Sequence, residues 1–224
     1  MNLSDLSESF QRRFDQTTGA REKALAAARK SIRASANAIR AIHRGELDQA
    51  HRLMEESRAA IQSGREAIRE DHPEVYFAGF LQDAQKEYAE ARLTEVIVVG
   101  ADIPGPDELE VELAPYLNGM AETIGEGRRA ILDLLRRGET GESERILSAM
   151  EEMYYLLVSM DYPDAITGNL RRSTDVARSI LERTRGDLSV ALVQRNLQEA
   201  LEAGLRRLEA LPGPESRGPD RLRP

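Results

Sequence analysis

Apolar residues recur at helical spacing from one end of this chain to the other, and nowhere do they alternate long enough to build a strand. Over residues 3–44, Leu25, Ala28, Ile32, Ile39 and Ile42 follow one another in steps of three, four and seven, which lays them along one helix face. The nearest thing to a strand is Val96 to Val99, and the helical run leading into it outweighs it. Punctuation residues then divide the pattern. Thr17, Thr18 and Gly19 mark an interruption of the first helix, and Gly45 suits a left-handed C-terminal position. A second helix is expected from Leu47 to Arg69, with Leu53, Ile61 and Ile68 inward, so that the two helices form an antiparallel hairpin. Asp71, His72 and Pro73 separate it from a further helix over residues 72–99, and Pro104, Gly105 and Pro106 then forbid helix. Later helices are expected from Pro115 to Arg137, over 142–161, and from Ile166 to about Leu211 with a bend at Gly186; the last carries Leu188, Leu192, Leu197 and Leu201 in its core stripe. The expectation is an all-α fold, one bundle of about six or seven helices over residues 1–211, followed by a disordered tail at 212–224 rich in proline, glycine and arginine.

Composition removes several chemistries. There is no cysteine, which excludes disulfides, zinc knuckles and thiol catalysis together. Tryptophan is absent and aromatics are 4% of the chain, so the core must be built from Ala, Leu and Ile in closely packed helices. A net charge of −8 argues against a uniformly basic surface for nucleic acid while leaving room for a local basic strip. The apolar runs are too short to span a membrane, and the amino-terminal residues lack the apolar segment of a secretory signal, so a cytoplasmic protein is expected.

Within residues 72–99 the apolar stripe is interrupted by acids. At about 100° per residue, Ala84, Ala91 and Val98 fall close to Phe80, and so does Glu87, while Asp83 and Glu90 lie at the stripe's edge. On the next long helix Glu122 and Glu126 stand one turn apart, opposite the core stripe, where acids are ordinarily solvated. His43, His51 and His72 lie near helix ends or in polar context and read as solvated or capping side chains. None has a glutamate three residues before it, which disfavours a di-iron bundle, and no glycine-rich phosphate loop is present. What remains is an all-carboxylate site for a hard cation, Mg²⁺ or Mn²⁺, with Glu87 and Glu90 from one helix and Glu122 and Glu126 from another. The bland alternative is a helix with one semi-buried, hydrogen-bonded glutamate. A stripe of Arg29, Arg33, Arg40 and Arg44 flanks the apolar face of the first helix, which suits either a salt-bridged solvated flank or a strip that follows a nucleic-acid backbone.

The segment RASANAIRAIHRGE (33–46) resembles the signature of the translin family, and the similarity continues through LQDAQKEYAEA (81–91), YLNGMAETIGEGRR (116–129) and LRR (170–172). The acids make the chain more similar to the catalytic branch, that of translin-associated factor X, in a compact, archaeal-type form. Position by position, the resemblance implies that Glu87 and Glu90 are metal-binding catalytic glutamates, that Glu126 matches a third, and that Glu122 stands where the branch more often has aspartate. It implies a Mg²⁺- or Mn²⁺-dependent endoribonuclease acting on single-stranded RNA, in a homo-oligomer resembling the family's hollow octamers. The rival expectation is a non-catalytic oligomer that binds single-stranded RNA or DNA through Arg29, Arg33, Arg40 and Arg44.

Overall fold

The computed structural model describes residues 2–68 and 72–209, so the expected tail at 212–224 and the expected helix ends at Arg69 and Leu211 lie outside the described residues. Eight helices and no strand occur among these: α1 (Leu3–His43), α2 (Leu47–Ile68), α3 (Pro73–Tyr76), α4 (Phe80–Val99), α5 (Leu113–Arg136), α6 (Thr140–Val158), α7 (Asp164–Thr167) and α8 (Leu170–Glu209). Two of the eight, α3 and α7, are single turns of four residues, which is where the count exceeds expectation. Left-handed residues separate each from the helix that follows: Gly79 (φ 96°) stands immediately before α4, and Gly168 (φ 63°) with Asn169 (φ 65°) closes α7. The expected single helix over 72–99 is therefore two. Thr17 to Gly19 and Gly186, by contrast, do not interrupt α1 or α8; one glycine costs a helix only about 1 kcal/mol.

The α1–α2 hairpin packs on small residues. Ala24, Ala28, Ala38 and Ala41 of α1 face Ala50, Ala60 and Gly64 of α2, all buried, with Ser31, Ser35 and Ser57 wholly buried between them. The Ser57 hydroxyl lies 2.8 Å from those of both Ser31 and Ser35, so the polar atoms at this close contact satisfy one another. At Gly64 an added methyl would stand 2.8 Å from Leu81 Cδ2, which places α4 against the hairpin.

Helix α4 is the centre of the bundle, with buried residues on every side: Leu81, Gln85, Tyr88, Ala89, Glu90, Leu93, Thr94 and Ile97 among them. A helix surrounded in this way has no single apolar stripe, and so the more deeply buried acid is Glu90 (9% exposed) rather than Glu87. Asp83 is exposed. The start of α5 is tied to α4 through Glu112, whose carboxylate accepts from Tyr76 Oη (2.6 Å), Gln85 Nε2 (3.1 Å) and Gln82 Nε2 (3.3 Å), while its backbone N–H donates to Gln85 Oε1 (2.7 Å). Gln85 is wholly buried, and both ends of its amide are thereby paired. Asn118 then clamps α5 to the final helices, donating to Thr167 O (2.8 Å) and accepting from Ser173 Oγ (2.8 Å).

The core ends well before α8 does. Leu188 is the last buried residue of this helix, whose 40 residues reach about 60 Å. Val190, Val193, Leu197, Leu201, Leu205 and Leu208 are each at least 57% exposed, so the expectation that Leu197 and Leu201 lie in the core is corrected. Their helical stripe is present, and within this chain it outruns every helix that could cover it. No described helix is long and apolar enough to cross a membrane.

Candidate metal centre

The acids of α4 and α5 meet because the two helices touch backbone to backbone. A methyl group at Gly119 of α5 would lie 2.7 Å from the Lys86 carbonyl oxygen, 3.0 Å from Ala89 Cβ and 3.1 Å from the Glu90 nitrogen. Gly119 is one turn before Glu122, so this crossing sets Glu122 beside Glu87 and Glu90. Thr123, wholly buried in the same contact, turns its hydroxyl back onto the Gly119 carbonyl (2.9 Å). Each of Glu87, Glu90 and Glu122 offers a carboxylate oxygen within 4.8 Å of the other two, a group able to hold a metal ion.

Their burial is graded. Glu90 is buried, Glu87 half-buried, and Glu122 has 40% of its side chain accessible. Burial first, and then the charges of Glu122, Glu87 and Glu126, push the Glu90 carboxyl up to about 8. Glu87 is raised as well, again by burial and by Glu122, with Lys86 opposing. Lys86 stands against the cluster, its Nζ 2.7 Å from Glu122 Oε1 and 3.4 Å from Glu87 Oε1. Burial acts to lower Lys86, but the bond to Glu122 and the two carboxylate charges prevail and raise it.

The structure does not bring Glu126 into that group. Its carboxylate turns the other way, 2.5 Å from His43 Nε2 and 3.6 Å from Arg129 Nη1. The hydrogen bond from His43 holds Glu126 below the usual carboxylate range, against the effect of burial, with the charges of His43 and Arg129 assisting. His43 is not a solvated residue: its side chain is 4% exposed, at the carboxyl end of α1. The other two histidines also meet glutamates, His51 with Glu95 and His72 with Glu74. From the sequence His43 reads as solvated or capping, and Lys86 and Gly119 go unremarked. A glycine inside an otherwise strong helix, three residues before an acid, was the one signal for the last of them.

The cluster opens on two adjoining clefts that share Glu122 and Ser173. One, of about 550 Å³, runs past Gln82, Lys86 and Asn118; the other, of about 360 Å³, passes Glu90, Arg172 and Val176. The arginines of α1 lie apart on an exposed face. Arg29, Arg33, Arg40 and Arg44 are all exposed; Arg44 is paired with Glu46 (2.6 Å) and Arg40 donates to Asn37, while Arg29 and Arg33 form no ion pair among the described residues.

Three carboxylates in a partly dry cleft suit a hard divalent cation. Oxygens that each lie about 2.1 Å from an octahedral Mg²⁺ stand about 3.0 Å apart when adjacent and about 4.2 Å when opposite, so the observed group would have to draw in by roughly an ångström, which side-chain rotation can supply. Such a cation would also offset the burial and the mutual repulsion that push the Glu90 carboxyl up. The molecule is thus of a definable class, a helical bundle with a group of three carboxylates, able to hold a metal ion, at the crossing of α4 and α5.

Known structures share this architecture. The crystal structure of AfC3PO is 33% identical over 84% of this chain and 97% of its own, with a TM-score of 0.77. The structure of AfC3PO in complex with duplex RNA gives 32% identity, the same coverage and a TM-score of 0.76. Apo-NeC3PO, 20% identical with a TM-score of 0.69 over 85% of this chain, shares the fold. No family model matches the sequence. An uncharacterized protein of Methanocaldococcus jannaschii is 35% identical over 127 residues, and the match spans 57% of that relative's length. The chain belongs to the translin/C3PO family.

Proposed function

We propose that this chain is a metal-dependent endoribonuclease that cleaves single-stranded RNA by attack of water on a phosphodiester. The observation that carries the proposal is the convergence of Glu87, Glu90 and Glu122 within 4.8 Å, with Glu122 lining two adjoining clefts and Glu90 one of them. A divalent cation held there, Mg²⁺ or Mn²⁺, supplies Lewis acidity and lowers the pKa of bound water. Glu90 is the innermost ligand, fixed by the backbone contact at Gly119; Glu87 and Glu122 close the set from the solvent side. Glu126, engaged with His43, adds negative charge behind the site rather than a fourth ligand in this arrangement. Arg29 and Arg33, exposed and in no ion pair among the described residues, are the members of the α1 stripe most available to a phosphate backbone, with Arg40 and Arg44 beside them.

RNA as the partner is supported by the relative AfC3PO, whose structure is of a complex with duplex RNA. A homo-oligomer, octameric as the sequence resemblance implies, would cover the apolar stripe of α8. Action in the cytoplasm, away from membranes, completes the reading. A second reading is a non-catalytic oligomer that binds single-stranded RNA or DNA. It is favoured by one observation, that Lys86 already neutralises part of the acid cluster.

The test is incubation of a labelled single-stranded RNA, and of the same sequence as a duplex, with Mg²⁺, with EDTA, and with the double variant Glu87→Gln, Glu90→Gln. Cleavage of the single strand that is lost in EDTA and in the variant is expected. Binding of the strand without cleavage would establish the second reading, and preferential cleavage of the duplex would overturn the substrate assignment.

A further inference from the structure

Lys86 is one of three lysines in a chain that otherwise uses arginine for its positive charge, and it is the lysine set against the acids. It precedes Glu87 on the central helix, with three-quarters of its side chain shielded from solvent and its ammonium between Glu122 and Glu87. An ammonium is a compact point charge with three donors, and it cannot chelate as a guanidinium does. Lys86 also lines the larger cleft, together with Gln82, Asn118 and Ser173, so the group faces the space a substrate strand would enter.

The charges around the site can be counted. Among the converging groups, with all three acids ionised, Glu87, Glu90 and Glu122 bring three negative charges and Lys86 one positive, which leaves two negative charges; Glu126, behind them, is paired with His43 and Arg129. One divalent ion balances that remainder, and a second would leave a surplus positive charge in a half-buried cleft. Two-metal phosphodiesterases set a second ion about 3.5–4 Å from the first to stabilise reacting oxygens. An ammonium fixed by two carboxylates stands ready for that task without a coordination shell.

We propose that Lys86 is the built-in second cation of this site: the cluster takes a single divalent ion, and the Lys86 ammonium hydrogen-bonds a non-bridging oxygen of the RNA phosphate from the side of the larger cleft. The assignment rests on the metal-dependent reading above. No proton leaves the ammonium in this role; it stabilises charge on the phosphate while water displaces the leaving oxygen. Because its carboxylate partners are the metal's ligands, Lys86 also moderates how strongly the acids attract the ion.

The experiment is calorimetric titration of the full chain with Mn²⁺, cross-checked by electron paramagnetic resonance of free Mn²⁺, for wild type, Lys86→Met and Lys86→Arg, with single-turnover cleavage of a labelled single-stranded RNA at saturating Mn²⁺. Wild type is expected to bind one ion per chain. Lys86→Met should bind Mn²⁺ about tenfold more tightly or take a second ion, since a positive charge a few ångströms away has been removed. Its cleavage rate should nonetheless fall by about a hundredfold, an order set by the loss of one charged donor to the phosphate. Lys86→Arg, which retains the charge, should return the Mn²⁺ affinity to near wild type and recover part of the rate, and it shows that the position tolerates replacement. Two ions bound by wild type, or one ion bound with unchanged affinity in Lys86→Met, overturns the role of Lys86 while leaving the metal site standing. A wild type that binds no Mn²⁺ overturns the metal reading and this assignment with it.

Discussion

Replacing Glu90 by glutamine removes a buried carboxyl while retaining its shape, and its effect on stability can be worked out from the structure. The carboxyl is pushed up to about 8 in the folded protein, first by burial and then by Glu122, Glu87 and Glu126, against 4.5 ordinarily. A group whose folded value is raised binds its proton more tightly folded than unfolded. Its contribution is therefore intact below the unfolded value, declines as pH rises from 4.5 toward 8, and levels off above that. At 1.36 kcal/mol per unit, the full penalty is about 4 to 5 kcal/mol, of which about 3 falls between pH 5 and pH 8. Urea unfolding of wild type and Glu90→Gln in EDTA, at several pH values across that window, measures it. The wild type should lose about 3 kcal/mol relative to the variant as the pH is raised. With Mn²⁺ at a hundred times its dissociation constant, wild type should regain about 2.7 kcal/mol while the variant gains less. Parallel pH profiles for the two proteins would refute the reasoning, because they would mean that Glu90 is not held protonated by its surroundings.

Three further outcomes are expected. Gly119→Ala should destabilise the fold by about 1–3 kcal/mol in chemical denaturation and weaken Mn²⁺ binding, because its methyl group would press on the fixed Lys86 carbonyl. His43→Ala should cost about 1–3 kcal/mol at neutral pH by leaving Glu126 half-buried with only Arg129, 3.6 Å away, and the loss should shrink below pH 4.5 as Glu126 takes up a proton; urea unfolding from pH 7 down to about 3 checks both. The pair Leu197→Glu, Leu201→Glu should leave helix content unchanged by circular dichroism while reducing the mass seen by light scattering, since both side chains are 60% exposed and carry no core packing.

The sequence by itself determined the helices, because the 3.6-residue period and the placing of glycine and proline are local properties. α2, α5 and α6 fall where periodicity places them, to within a few residues, and α4 ends where expected although the turn before Gly79 cuts off its expected start. It also supplied the acids, and the segments around them carried the family resemblance. What periodicity could not supply was direction. Reading α4 as a one-sided helix made Glu87 the inward acid, whereas a helix buried on all sides leaves Glu90 deepest. Glu122 and Glu126, one turn apart, look equivalent in sequence, but α4 and α1 approach α5 from different sides, so one meets Lys86 and the other His43. Leu197 and Leu201 show the same limit from outside, since their stripe is a property of the chain and its exposure depends on where neighbouring helices end. The tertiary structure alone decided which carboxylates converge, because convergence depends on the crossing at Gly119, a contact between backbones more than thirty residues apart.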